Sequence, residues 1–272
     1  MIKEKIQFFL DFGYSENEIK KMVNLFPMFL KCSIDTLSNK ILLLNNMFGY
    51  SKKDIIKIGK YFPQIYWYAI DNIEKRIVNL VLLGYTREEV IKITRAFPKI
   101  YSLGIDNIKD TIDGMINLGY SNDEVLVMTK RFPSLYSFSI DTIKLKMDEL
   151  MSLGYDIDDV KKMTVDFSGL YGFSIESLRE KKEFYDLIGI GDIFRVSPKM
   201  LMQSISVSYA RYMFYKDNGI DINMSNYNML FVGQKQFENK YKITKEELIN
   251  LYSYDSYVDK DKKKVVGGIY GK

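Results

Sequence analysis

Apolar positions along this chain recur at helical spacing, in blocks that are themselves set at a fixed interval. Within residues 84–118, Val90, Ile93 and Phe97 mark one face of a helix. Ile105, Ile108, Ile112, Met115 and Ile116 give the i, i+3, i+7, i+10, i+11 stripe of a second. Phe97-Pro98 stands between the two stripes. A residue that precedes proline is pushed out of the helical region. The pattern therefore predicts a first helix from about Arg87 to Ala96, a short irregular or 3₁₀ piece over Pro98 to Leu103, and a second helix from Gly104 to Leu118.

The same block returns along the chain. Gly-Tyr recurs at Gly13-Tyr14, Gly49-Tyr50, Gly84-Tyr85, Gly119-Tyr120 and Gly154-Tyr155, at steps of 36, 35, 35 and 35 residues. Phe-Pro follows at Phe26-Pro27, Phe62-Pro63, Phe97-Pro98 and Phe132-Pro133. Self-similarity at such a period marks a repeat architecture, whose units cannot bury their apolar faces alone and stack on their neighbours. In Leu83-Gly84-Tyr85-Thr86 the Gly is placed to end one helix in a left-handed conformation, the Tyr to pack back on its last turn, and the Thr to cap the next helix. Glu89, three residues after Thr86, completes a capping box. Ser15 with Glu18, Ser51 with Asp54 and Ser121 with Glu124 repeat it, and Asp156 with Asp159 gives a weaker form. Asp35, Asp71, Asp106, Asp141 and Glu176 fall in the first turn of the second helices, where a carboxylate favours the positive helix end.

Composition narrows the functional classes. The chain has 272 residues, 47% hydrophobic and 27% charged, as an ordered globular protein has. There is no histidine, which removes the commonest general base and the commonest metal ligand. Cys32 is the only cysteine and has no companion for a metal site or an internal disulfide. With no Walker loop, no zinc spacing and no nucleophile beside a partner, no catalytic residue, metal or cofactor is expected, and the protein is read as a non-enzyme. No apolar run is long enough to span a bilayer, and the first residues resemble neither a signal peptide nor a transit segment. An intracellular protein is expected, cytoplasmic or, if a presequence is missing, in an organelle matrix. It is expected to be a monomer.

The charge balance, 39 basic residues against 35 acidic, is mildly basic. Any contact with nucleic acid must then rest on where the basic residues fall. Eight residues past the corner Gly stand Lys21, Lys57, Lys92, Val127 and Lys162; eleven past it stand Asn24, Lys60, Arg95, Lys130 and Val165. Residues three apart share a helix face, so stacked repeats would line these up, with Arg131 extending the line. One reading is a phosphate-contacting stripe on the concave side of the array. The other is a solvated face, with the first column paired to the capping carboxylates three residues before it. The second column is expected to discriminate, because it lies farther from the carboxylates of its own repeat. Tyr66, Tyr101, Tyr136 and Tyr171 form a further column, with Leu30 in the first unit. It offers either stacking platforms for bases or core between repeats, and the leucine favours core. Trp67 and Tyr68 are expected to be exposed.

Phe132-Pro133-Ser134-Leu135-Tyr136, then Ser139-Ile140-Asp141-Thr142-Ile143, then Leu153-Gly154-Tyr155 resembles the repeat of the mitochondrial transcription termination factor (mTERF) family. Pro198 lies 21 residues before Gly219, as Pro98 does before Gly119, which marks a sixth unit from near Gly189 with its first helix shortened by five residues. Met229-Leu230-Phe231 and Phe237-Glu238-Asn239-Lys240-Tyr241 look like a closing segment, ending in a capped helix over Thr244 to Leu248. The resemblance implies an all-α fold, a curved helical-repeat solenoid, as one domain over residues 1–254 with clear units near 13–188 and degenerate ones near 189–254. Residues 255–272 read as a flexible basic tail. The resemblance also implies binding to nucleic acid, duplex DNA or structured RNA, in transcription or gene-expression regulation. Lys21, Lys57, Lys60, Lys92, Arg95, Lys130, Arg131 and Lys162 are the candidate contacts. A protein-protein interaction scaffold of the same fold, holding a partner protein, is the alternative.

Overall fold

In the computed structural model, which describes residues 2–254, α-helices and 3₁₀ connectors carry the chain, with no strand among the described residues. The chain forms two compact units that part between Thr142 and Ile143. The first holds α1 (Ile2–Phe12), α2 (Glu16–Leu25), α3 (Ile34–Phe48), α4 (Lys52–Tyr61), α5 (Ile70–Leu82), α6 (Arg87–Ala96), α7 (Ile105–Asn117) and α8 (Asn122–Arg131). Helix α9 (Ile140–Met151) crosses the boundary. The second unit continues with α10 (Ile157–Asp166), α11 (Ile175–Leu187), α12 (Ile193–Val196), α13 (Ile205–Asp217), α14 (Gln234–Tyr241) and α15 (Lys245–Leu251). The expected tail, residues 255–272, lies outside the described residues.

Each clear repeat is built as its sequence dictates. The repeat that starts at Gly84 has its first helix over Arg87–Ala96, a 3₁₀ turn over Pro98–Ser102 and its second helix over Ile105–Asn117. Reciprocal capping boxes form at Ser15/Glu18, Ser51/Asp54, Thr86/Glu89, Ser121/Glu124 and Thr244/Glu247. Asp156 accepts only the Asp159 N–H, which is the weaker form. Every corner Gly has a positive φ, and the series continues at Gly189 and Gly219. Helix α12 has four residues where its counterparts have ten, as the position of Pro198 requires.

In the first unit the first helices form a row, α2 against α4, α4 against α6 and α6 against α8, and each packs on the second helix that precedes it. The tyrosine columns lie in the core between them. Tyr50 and Tyr85 of the corners are buried, as are Tyr66, Tyr101 and Tyr136 of the connectors. The corner tyrosine hydroxyl of one repeat meets both a threonine and the connector tyrosine of the next: Tyr50 with Thr94 and Tyr101, Tyr85 with Thr129 and Tyr136. Burial raises the Tyr50 and Tyr85 hydroxyls above their ordinary range, so both stay protonated. The connector column is therefore core and not a set of base-stacking platforms.

Gly59 takes the place of that threonine in the second repeat. A Cβ there would lie 2.2 Å from the Tyr14 hydroxyl. The missing side chain leaves room for Tyr14 to reach Tyr66 at 2.7 Å and to donate to the Ile55 carbonyl at 3.0 Å.

A second internal column was not apparent from the sequence. Eight residues before the corner Gly, or nine in the longer α3, stand Lys5, Lys40, Arg76, Thr111, Lys146, Lys181 and Arg211. Five of these cations donate to carbonyls at the end of the next connector. Lys5 reaches Leu30 O at 2.6 Å and Lys146 reaches Phe173 O at 2.6 Å. Lys40 donates to Tyr68 O and Lys181 to Leu201 O. Arg211 donates to Leu230 O at 2.8 Å and to Val232 O at 2.7 Å, with its guanidinium 4.6 Å above the Phe237 ring. A cation suits the carbonyl end of a helical turn, which carries partial negative charge. Burial still pulls the Lys181 ammonium down to about 8.

Candidate nucleic-acid interface

The first and second basic columns differ in what surrounds them. In the second column, Lys60 Nζ lies 3.0 Å from Glu18 Oε1, Arg95 Nη2 3.3 Å from Asp54 Oδ2, and Lys130 Nζ 3.0 Å from Glu89 Oε1. Each cation pairs with the capping carboxylate of the preceding repeat. The expected distance from carboxylates holds within a repeat and fails between repeats, because stacking brings the last turn of one first helix beside the first turn of its neighbour. The carboxylate has two tasks: it accepts its own N-cap amide and holds the next repeat's cation. Accepting the Ser15 amide and then the Lys60 ammonium holds Glu18 below its ordinary range, and the Thr86 amide and Lys130 do the same for Glu89. Burial opposes ionisation of Asp54, but its bonds from Ser51 and the nearby Arg95 outweigh it and its pKa is lowered.

Arg95 is further tied to the corner beneath it, 3.4 Å from Gly49 O and 5.8 Å above the Tyr50 ring. Arg195 does the same work in the second unit, 2.7 Å from Asp159 and 5.1 Å above the Tyr155 ring. Counting forward from Gly189 misses Arg195, because the short α12 shifts the register. Counting back from Pro198, as Arg95 stands before Pro98, finds it.

The first column is outward. Lys21, Lys57, Lys92 and Lys162 are exposed, and Val127 is half-buried. Lys57 and Lys92 hold the same register on α4 and α6, which pack side by side. The Lys21 ammonium lies 4.4 Å above the Tyr61 ring of the next first helix, so its stem and head run along the row. Arg131 is exposed at the end of α8. Trp67 is 46% exposed and meets Phe26 edge-on, while Tyr68 is half-buried and its carbonyl takes Lys40.

No group of three or more His, Cys, Asp or Glu side chains among the described residues could hold a metal ion. No helix among them is long and apolar enough to cross a membrane.

Repeated helix, 3₁₀ turn and helix units, joined by capped glycine corners, define a helical-repeat protein. The mTERF family model matches residues 1–118 and 106–238, and the chain belongs to that family. The family is generally one of non-enzymatic, nucleic-acid-binding repeat proteins. Comparison with curated proteins gives no match.

Proposed function

We propose that this protein binds the sugar-phosphate backbone of duplex DNA or structured RNA along the row of first helices, in transcription or gene-expression regulation. The observation that carries the reading is the equivalent, exposed placement of Lys57 and Lys92 on adjacent helices, with Lys21 in line on α2. Cations repeated at a structural period, with stems lying on a rigid row, suit a regularly charged backbone and carry no sequence code. Lys162 and Arg131 add exposed charge at the matching face of their own helices. Lys60, Arg95 and Lys130 are assigned to holding the repeats in register, because each is already neutralised by a carboxylate. Family membership supports the nucleic-acid class of partner.

Titration of a labelled duplex and a labelled single strand at two salt concentrations tests the proposal. Affinity that falls steeply with salt supports it. Binding that is absent at low salt, or indifferent to salt, sinks it and favours the scaffold reading, for which α5 offers the exposed apolar ridge Val78, Val81 and Leu82.

A further inference from the structure

The internal cation column has one position without a cation, Thr111. Lys146 and Lys40 donate to Phe173 O and Tyr68 O, each nineteen residues past its corner Gly. Phe138 stands at that register in the repeat of Gly119, where Thr111 should supply the donor. A threonine side chain is too short to cross, and its hydroxyl turns back to donate to Asn107 O at 2.9 Å within α7. No side chain among the described residues donates to Phe138 O.

The space left by the missing lysine is open. A cleft of about 340 Å³ lies there, walled by Thr111, Asn107 and Asp110 of α7 on one side and by Ser137, Phe138 and Ile140 on the other. Ile140 leans onto α7 where Gly114 has no side chain; a Cβ on Gly114 would lie 2.3 Å from it. The cleft thus opens where Thr111 stands in place of a lysine, and its lining sets the oxygen-bearing side chains of Asn107, Asp110, Ser137 and Ser139 beside apolar Leu103, Phe138 and Ile140. Lys99 also borders it, and its side chain is exposed.

We infer that this cleft is a binding site for a primary alkylammonium group, which occupies the place that Lys146 and Lys40 fill in their own repeats. Five of the chain's other repeats show the recognition chemistry, N–H donors on the carbonyls that end a 3₁₀ turn. Asp110 adds an attracting carboxylate, with Asp106 and Asp113 exposed on the same helix. An ammonium with three donors matches these acceptors. A quaternary ammonium has none. The group can come from a free polyamine or from a lysine side chain of a partner.

The test uses the full-length, ¹⁵N-labelled chain at constant ionic strength, titrated with n-butylammonium chloride. Expected are saturable amide shifts centred on Thr111 and Ser139, with none from tetramethylammonium. Thr111→Lys places the chain's own ammonium in the cleft and is expected to abolish the butylammonium shifts and raise Tm. Asp110→Asn, a surface change that leaves the fold intact, is expected to weaken binding about threefold. Spermidine and Nα-acetyl-lysine methylamide are titrated in parallel. Tighter binding of spermidine than of butylammonium supports the site and assigns it to polyamines, and tighter binding of the lysine derivative supports it and assigns it to a partner's lysine. Absence of saturable shifts in the wild-type chain, equal shifts from tetramethylammonium, or unchanged binding in both variants overturns the inference.

Discussion

Lys130 and Glu89 stand 41 residues apart in sequence and 3.0 Å apart in space, and the carboxylate that receives this ammonium also caps its own helix. Lys60 with Glu18 and Arg95 with Asp54 repeat the relationship. Each joint between first helices is therefore held by one carboxylate with two duties. The pairs are partly exposed, so each stabilises modestly, and their main effect is to fix the register of stacking. Lys130→Glu is expected to lower Tm, and Lys130→Glu with Glu89→Lys to recover part of the loss. The recovery stays incomplete, because a lysine at 89 cannot cap Thr86. Thermal unfolding of both variants checks this; a double variant no more stable than Lys130→Glu contradicts it.

The same carboxylates set an acid limit. Glu18 and Glu89 have folded pKa values below the ordinary 4.5, so the unfolded chain takes up protons first as pH falls. Their contribution is present in full above about pH 4.5 and is lost as pH drops through the depressed folded values. Urea midpoints measured at pH 7, 5, 4 and 3 are expected to fall most steeply below 4.5. In Glu18→Gln with Glu89→Gln the fall should be shallower. Parallel profiles would mean that these groups do not carry the dependence.

Gly59 is a packing requirement of the second repeat. Gly59→Ala forces its new methyl against the Tyr14 hydroxyl and is expected to cost about 1–3 kcal/mol, as overpacking of a core does. Removing that hydroxyl as well, in Gly59→Ala with Tyr14→Phe, should make the second change less costly than Tyr14→Phe alone in the wild-type background. Denaturant midpoints of the four proteins decide it, and strict additivity counts against the steric account.

Arg211 is the most fully enclosed of the internal cations, 1% exposed, and serves the carbonyls of Leu230 and Val232. Arg211→Met keeps the stem, leaves Val232 O without its donor and leaves Leu230 O to Gln203 alone, at an expected cost of about 2 kcal/mol. Loss of less than about 1 kcal/mol in a denaturant titration would show that water replaces the guanidinium.

The architecture was legible because its signals are local. Thr86 with Glu89, Phe97 before Pro98 and Gly84 after Leu83 each fix a helix end without help from distant residues, and the observed helices follow them. The pairing of Lys60 with Glu18 was not legible, because it depends on how far one repeat is displaced against the next, which no within-repeat spacing encodes. The internal cations were hidden for a related reason. Lys146 and Lys181 stand among exposed charges on their helices, and only the stacked connector shows that they turn inward. The gap at Thr111 becomes meaningful only once that column is seen.

The division of labour between the two basic columns is the central claim, and one binding measurement tests it. Anisotropy of a labelled duplex is followed against salt for the wild type, for Lys57→Glu with Lys92→Glu, and for Lys130→Glu with Glu89→Lys. The outward pair should neutralise phosphates, so its reversal is expected to weaken binding at least about tenfold and to reduce the slope of log K against log salt by about 0.9 for each phosphate no longer neutralised. The swapped joint keeps its net charge and is expected to bind within about twofold of the wild type with an unchanged slope. Loss of binding in the swapped protein, with retention in the Lys57 and Lys92 reversal, would contradict the account.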